Sequence, residues 1–436
     1  MNARVLWRAS LVALVALLVG WAASRGEQPE YYEYYDYFEE LSRVISKIED
    51  NYVEEVDQKK LFEGSIKGML RELDPYNAYI PEEMYSIFKQ DTQGFFGGLG
   101  IQIGIRDEQL TVISPLEGTP AARAGILPGD KILFIEGEST EGMSLLEAVN
   151  ILRGDPGTQV TITIRHAGSE EETDVTITRE VIEIHSVRGY RRLPNGEGWD
   201  YWVNPEEKIG YIRLSAFQEN TVAELDGVMS ALVAEGVRGL VLDLRSNAGG
   251  LLGSAVAVAD RFLPEGVVVS IRGRVEGTKE ERAHGEDDYP ADMLLAVLVN
   301  RYSASGSEIV AGALQDYSRG TLVGEETFGK GSVQKVIPLR DDVSAIKLTT
   351  AKYYTPSGRS FHRDPRTKKG GLVPDIPVVF TIEQLGELHR RWQMLALDAE
   401  LPEPTGQREE KPFVDTQLQR ATDLLIGLHV VRSAVD

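Results

Sequence analysis

Leu294-Leu-Ala-Val-Leu-Val-Asn300-Arg-Tyr-Ser-Ala-Ser305-Gly306-Ser-Glu308 is the stretch whose reading decides the fold. Leu294–Asn300 opens on an uninterrupted apolar run, the mark of a strand buried on both faces. The Ser305-x-x-Glu308 that follows is a helix-opening signal. Gly239–Leu244 is a second such run. The spacing predicts helices at about 220–235, 251–263 and 306–317, between strands. Strand and helix alternate from 208 to 360, which is βαβ rhythm and predicts an α/β core over 181–380.

Upstream, residues 95–180 change character. Leu110–Ile113 and Val160–Ile164 alternate as short strands between glycine and proline turns. One short helix has Pro120 in its first turn and Gly125 just past its end. Another opens at Ser144-Leu-Leu-Glu147, a capping box. Residues 27–94 read as a helical region, with Leu41, Val44, Ile45 and Ile48, then Leu61, Ile66, Met69 and Leu70, at helical spacing. Its tyrosine-rich start (Tyr31, Tyr32, Tyr34, Tyr35, Tyr37) is read as one face of the helix that follows. Residues 381–436 read as a polar helical tail broken by Pro402 and Pro404.

The N-terminus bears on compartment. Arg4 and Arg8 precede an apolar run from Leu11 to Ala23, ending in Ala22, Ala23 and Ser24. Charge, apolar run and small residues in that order predict a secretory signal or membrane anchor over 1–26. The expected location is the cell envelope, on the extracytoplasmic side.

With 436 residues the chain is too long for one core, at roughly 100–200 residues per domain. The formal net charge of −22 argues against nucleic acid as a partner, because phosphate binding needs a basic face. There is no cysteine, so thiolate catalysis and disulfides are excluded.

Three segments could carry chemistry. Ser305 falls between a buried strand and a helix, at the carboxyl edge of a sheet, where α/β proteins place their sites. Gly306 offers an unobstructed N–H at a helix start. Phe328-Gly-Lys330-Gly-Ser-Val-Gln334 reads as a strand edge after a glycine turn, with Lys330 and Gln334 on one face. A lysine acts as a base only when neutral, so burial must depress its pKa from ~10.4. Gln334 could hold a neutral amine without stabilising ammonium. Leu242-Asp-Leu-Arg-Ser-Asn-Ala-Gly249-Gly250 could donate backbone N–H groups to an oxyanion. Each segment also has a plain structural reading: Ser305 as a helix cap, Lys330 as a solvated side chain, the glycine pair as a tight turn. Six histidines show no metal spacing, and Asp316, eleven residues after Ser305, reads as structural.

Taken together and in order, these segments resemble the carboxy-terminal processing (tail-specific) proteases. The motifs are Asp-Leu-Arg-Ser-Asn-Ala-Gly-Gly-Leu-Leu, Ser-Ala-Ser-Gly-Ser-Glu, Gly-Glu-Glu-Thr-Phe-Gly-Lys-Gly-Ser-Val-Gln, Tyr-Tyr-Thr-Pro-Ser-Gly-Arg-Ser and Gly-Leu-Val-Pro-Asp-Ile-Pro-Val. Ala248 departs from a common proline, Gly306 from a common alanine, and Pro-Tyr-Asn-Ala near residue 76 from Pro-His-Ser-Ser. The resemblance implies a mixed α/β fold: a crotonase-like protease core, an inserted PDZ domain at 95–180, and helical N- and C-terminal regions. It implies Ser305 as nucleophile, Lys330 as base and Gln334 as the lysine's orienting group, with oxyanion donors at Gly250 and Gly306. Gly98, Leu99, Gly100 and Ile101 resemble a PDZ carboxylate-binding loop, supported by Gly118–Asp130. The function implied is a serine endopeptidase acting on exported proteins, recognising their unstructured C-termini. Further copies of the chain and an adaptor protein are the other expected partners. No cofactor or metal is expected. An inactive PDZ scaffold on a protease-like core is the competing reading.

Overall fold

The computed structural model describes residues 31–82, 84–85, 95–116, 118–194, 198–285, 289–339, 343–364, 366–397 and 413–435. The expected signal segment lies outside them. Among the described residues, no helix is long and apolar enough to cross a membrane.

Residues up to Pro75 form one unit, built of the helices Tyr31–Asn51 and Gln58–Arg71. The tyrosine-rich stretch is part of the first helix, as read from the sequence, and Tyr35 and Tyr37 stand exposed. Asp57 caps the second helix, accepting from the Lys60 N–H. The two helices end at Arg71, close to the Asp74-Pro75 boundary, and residues 86–94 of the region expected over 27–94 lie outside the described residues. The second unit begins at Tyr76, and Ala78–Ile80 is a strand paired antiparallel with Ser344–Tyr354. Three residues are too few to show a period in the sequence.

Between 101 and 178 the chain folds into an antiparallel sheet around its own core, including Leu110, Val112, Ile132, Ile162 and Ile164. The capping box at Ser144 and Glu147 is present, and opens the helix Leu145–Leu152. In this sheet Ile101–Arg106 is an edge strand. The strand before it, Phe95–Gly98, pairs instead with Glu180–Glu183.

The second core is a mostly parallel sheet, with Val187–Arg188 and Trp202–Asn204 added antiparallel at one edge. Its parallel strands run Ile209–Leu214, Gly239–Asp243, Leu294–Val299, Thr321–Gly324 and Ile376–Pro377, side by side in that order. Helices Thr221–Ala234, Leu252–Asp260 and Gly306–Asp316 pack on one face, around Ile212, Leu242, Val297, Val258 and Val310. All five residues of Gly239–Asp243 are buried, which explains the uninterrupted apolar run. A second, antiparallel sheet holds Gly266–Gly273, Gly277–Ala283, Ser332–Leu339 and Ser344–Tyr354.

The C-terminal segment is more than a polar tail. In the helix Thr416–Val435, Leu418, Ala421 and Leu425 are buried against Ile209, Val241, Ala296 and Val323, covering the other face of the parallel sheet. The apolar stripe is one residue wide per turn, so it is easily missed among polar neighbours. The same segment closes over a buried charge. Arg245 is fully buried, paired to Asp243 at 2.6 Å and Asp415 at 2.8 Å, with Gln417 at 3.0 Å. The Tyr211 hydroxyl also donates to Asp243, at 2.7 Å. Burial opposes the Asp415 charge, but Arg245 prevails and holds that carboxyl below its ordinary range. Its contribution to stability is therefore present above the ordinary carboxylate pKa and is lost as pH falls through the lowered one. Asp415→Asn should lower the unfolding free energy by about 1–3 kcal/mol in urea titration at neutral pH, with the deficit shrinking on acidification. An unchanged midpoint would show that the clamp contributes nothing.

Candidate active site

Two strands of the parallel sheet, Gly239–Asp243 and Leu294–Val299, end in register, Asp243 opposite Leu298. Each hands the chain to a loop and then a helix, so the Arg245–Gly250 loop and the Asn300–Ser305 turn lie side by side at the carboxyl edge. They are tied directly. Asn247 O accepts from Ala304 N (3.0 Å) and from Ser307 Oγ (2.8 Å). Ser246 N donates to Asn300 Oδ1 at 2.9 Å. From the C-terminal region, His389 Nε2 meets Ser246 Oγ at 2.8 Å, so that region buttresses the loop as well.

Ser305 does stand at the N-cap of the helix Gly306–Asp316, as the capping reading expects. Its backbone is not that of an ordinary cap, however. It sits at φ 55° and ψ −110°, where an N-cap residue is normally extended. A non-glycine residue held at positive φ is strained, and such strain collects at functional sites. Gly249, at φ 101°, packs against this turn. A Cβ built there would stand 2.9 Å from both Gly306 N and Ser305 Cβ. Gly250 follows at φ 155°, where a Cβ would strike Phe217 O at 2.1 Å. Among the described residues, the N–H groups of Gly250 and Gly306 have no acceptor. Two free donors thus flank the serine, the arrangement an oxyanion requires.

Glu308 joins this turn to the lysine loop, and sequence reasoning saw it only as half of a capping box. It is fully buried. Its Oε2 accepts from Ser305 N (2.9 Å) and Lys330 N (2.8 Å), and its Oε1 from Gly329 N (2.7 Å) and Thr327 Oγ1 (2.6 Å). The backbones of Ser305 and Lys330 therefore meet on one carboxylate oxygen. Burial pushes the Glu308 carboxyl up, against the pull of these hydrogen bonds.

Lys330 is half-buried, and its amine lies 5.9 Å from the Tyr76 ring centroid. Tyr76 in turn packs edge-on against His362, at 6.5 Å. Burial, then the charge of Lys347, hold the amine below the ordinary lysine range, and Glu308 opposes them. Gln334 is placed differently from expectation. The strand begins only at Ser332, so Lys330 precedes it; the register shift between Val333 and Gln334 leaves Thr350 of the paired strand as the extra residue. The shared-face argument from spacing therefore does not hold. The Gln334 amide donates to Ser332 Oγ (2.8 Å) and Thr349 Oγ1 (3.3 Å). Among the described residues no hydrogen bond joins the Lys330 amine to Ser305 or Gln334; such bonds commonly close only on substrate.

Asp316 is structural, as read from the sequence: it accepts from Ser357 N at 2.8 Å and pairs with Arg359. Among the described residues, no cluster of histidines or carboxylates could hold a metal ion.

Gly98–Ile101 borders a groove of about 70 Å³ against Val149, Leu152 and Arg153 of the helix side. Gly100 sits at φ 73°, with Thr119 where a Cβ would fall. The Leu99 and Gly100 N–H groups have no acceptor among the described residues. The groove runs beside the open edge strand Ile101–Arg106.

Comparison with known proteins bears on the whole arrangement. Residues 208–378 match Peptidase family S41, residues 111–166 match PDZ domain, and residues 22–84 match Activating protease CtpB N-terminal domain. A carboxy-terminal-processing protease of Bartonella bacilliformis is 38% identical over 401 residues, 88% of this chain and 87% of that one. A carboxyl-terminal-processing protease of Synechocystis is 38% identical over 367 residues, 83% of this chain and 76% of that one. A solved photosystem II D1 C-terminal processing protease is 29% identical, covering 78% of this chain and 92% of its own, with a TM-score of 0.44.

Proposed function

Because the chain belongs to the carboxy-terminal processing proteases of peptidase family S41, serine-type peptidases with a PDZ domain, we propose that Ser305 and Lys330 form its catalytic dyad. The observation that carries this reading is Glu308, one of whose oxygens holds the backbones of both residues. The neutral Lys330 amine takes the Ser305 proton as Oγ attacks the scissile carbonyl. The oxyanion is received by the N–H groups of Gly250 and Gly306. Lys330 then gives its proton to the leaving amine; in the second half, neutral Lys330 deprotonates a water that attacks the ester, and the proton passes to Ser305 Oγ as the acid leaves. Gln334 retains a role as orienting group for the amine, through motion of its amide away from Ser332 and Thr349. The charge–apolar–small order at 1–26 supports export, and exported proteins are the substrates of this reading. Exposed Tyr35, Tyr37, Phe38 and Leu41 on the first helix support a homo-oligomer.

The groove at Gly98–Ile101 takes the substrate's free C-terminus in this reading. The free N–H groups receive the carboxylate while the tail pairs with the edge strand. Amidating the tail removes charge-assisted hydrogen bonds of roughly 1.5–3 kcal/mol each. Affinity for a peptide should therefore fall by about tenfold or more, read by fluorescence anisotropy on the Ser305→Ala protein. Equal affinity for free and amidated peptides would remove tail recognition and leave the dyad untouched.

A further inference from the structure

Ile184 to Val187 carries the chain from the PDZ domain into the core, and beside this connection lies a cavity of about 650 Å³. Leu116, Gly118 and Thr119 form its PDZ wall, and Arg188, Arg192 and Trp199 stand on its core wall. In a chain of net charge −22, two guanidinium groups converge on one indole. Arg192 lies 4.7 Å and Arg188 5.7 Å from the Trp199 ring. The half-buried guanidinium of Arg188 makes no hydrogen bond or ion pair with any described residue. Burial works against its charge first, and Arg213 and Arg192 then repel it.

Among the described acids, Glu224 offsets this only in part. Glu224 spends its carboxylate on His185 Nδ1 (2.8 Å), Ser186 N (2.9 Å), Val187 N (3.0 Å) and Asn220 Nδ2 (2.8 Å). Glu183, also on the rim, is exposed. The Tyr201 hydroxyl, on the same lining, has no hydrogen-bond partner among the described residues; burial pushes its pKa up to about 12, so it remains a donor. A half-buried cation with no paired carboxylate is costly unless something supplies one.

We propose that this cavity is a second polypeptide-binding site, which takes the carboxylate side chains of an acidic segment through Arg188 and Arg192. Guanidinium matches a carboxylate with two parallel hydrogen bonds, and Trp199 pre-orients both groups. The volume far exceeds one small inorganic ion, and Val187 and Val228 supply apolar wall for the segment's other atoms. The site also touches the PDZ groove from behind. Leu116 N donates to Gly100 O at 2.7 Å and Thr119 Oγ1 to the same oxygen at 3.1 Å. A segment lying against Leu116 and Thr119 therefore bears on the residues that hold the Gly98–Ile101 loop.

The test uses the full chain carrying Ser305→Ala, so that no probe is cut. The probe is an acetylated, amidated peptide of about ten residues, alternating glutamate and alanine; its partner has glutamine for glutamate. Lacking a free C-terminus, neither probe engages the PDZ carboxylate loop. The glutamate peptide should bind about tenfold tighter or better, and the advantage should shrink from about 50 to about 300 mM salt. Arg188→Met should reduce the difference to about twofold or less, and Arg192→Gln serves if that variant does not fold. Equal binding of the two peptides overturns the proposal, as does unchanged preference in a folded Arg188→Met protein. Displacement of the peptide by equimolar inorganic phosphate also overturns it, since that marks a small-anion site. A free-tailed peptide titrated in parallel reads the PDZ groove, so failure there is scored separately.

Discussion

Ser305→Ala should lower peptide-bond hydrolysis by about 10⁴-fold or more, with the fold intact. The loss follows from the position of the serine, held at φ 55° beside the N–H groups of Gly250 and Gly306, which have no acceptor among the described residues. Lys330→Ala should fail on the same scale, because without the amine the hydroxyl keeps its proton. Lys330→Arg should fail as well, since a guanidinium does not deprotonate in proteins. The measurement is single-turnover cleavage of an unfolded protein with a free C-terminus, alongside thermal melting. Cleavage at the parent rate by any of the three would sink the dyad.

The pH dependence has a fixed sign. Burial and Lys347 hold the Lys330 amine below the ordinary lysine value, and only the neutral amine accepts a proton. Activity should therefore rise with pH through that lowered pKa. Lys347→Met removes a repelling charge, so the Lys330 pKa climbs and the rising limb moves to higher pH. Stability runs in the same direction. A lysine whose folded pKa is depressed disfavours the native state below that pKa, and the cost vanishes above the unfolded value of ~10.4. Lys330→Met should thus be at least as stable as the parent at neutral pH.

Much of this was legible in the sequence, for identifiable reasons. Gly239–Asp243 and Leu294–Val299 are buried on both faces, and continuous apolar runs say so directly. Ser305 follows from where such a strand ends. The PDZ helices announce themselves through Pro120 and through Ser144 with Glu147, because caps are local chemistry. What failed was whatever depended on register or on distant partners. Lys330 and Gln334 were placed on one face by counting, and a strand that starts only at Ser332 undid the count. Tyr76 reaches the Lys330 amine from far away in sequence, beside a three-residue strand that no period reveals. Asp415 and Gln417 find Arg245 across the molecule, and no local pattern in a polar tail predicts that.

Glu308 carries the other large expected effect. Glu308→Ala removes the acceptor of three backbone N–H groups and the Thr327 hydroxyl in a buried place, where each orphaned donor costs about 1–3 kcal/mol, not additively. Glu308→Gln keeps the shape but not the chemistry. Turned one way, its NH₂ faces the Ser305 and Lys330 N–H groups. Turned the other, it faces the Gly329 N–H and Thr327, whose hydroxyl already accepts from Leu372 N. The second orientation is the cheaper, yet it still leaves Gly329, the neighbour of Lys330, without its acceptor. A displacement of the lysine loop on the order of 1 Å would cost about 10²-fold in kcat, and the alanine variant should lose more. Loss of rate and stability alone would also fit a residue that merely braces the fold. The pH profile separates the two: Glu308 raises the Lys330 pKa, so either variant should move the rising limb to lower pH. A folded Glu308→Gln protein with the parent's rate and the parent's limb would show that the shared carboxylate does not align the dyad.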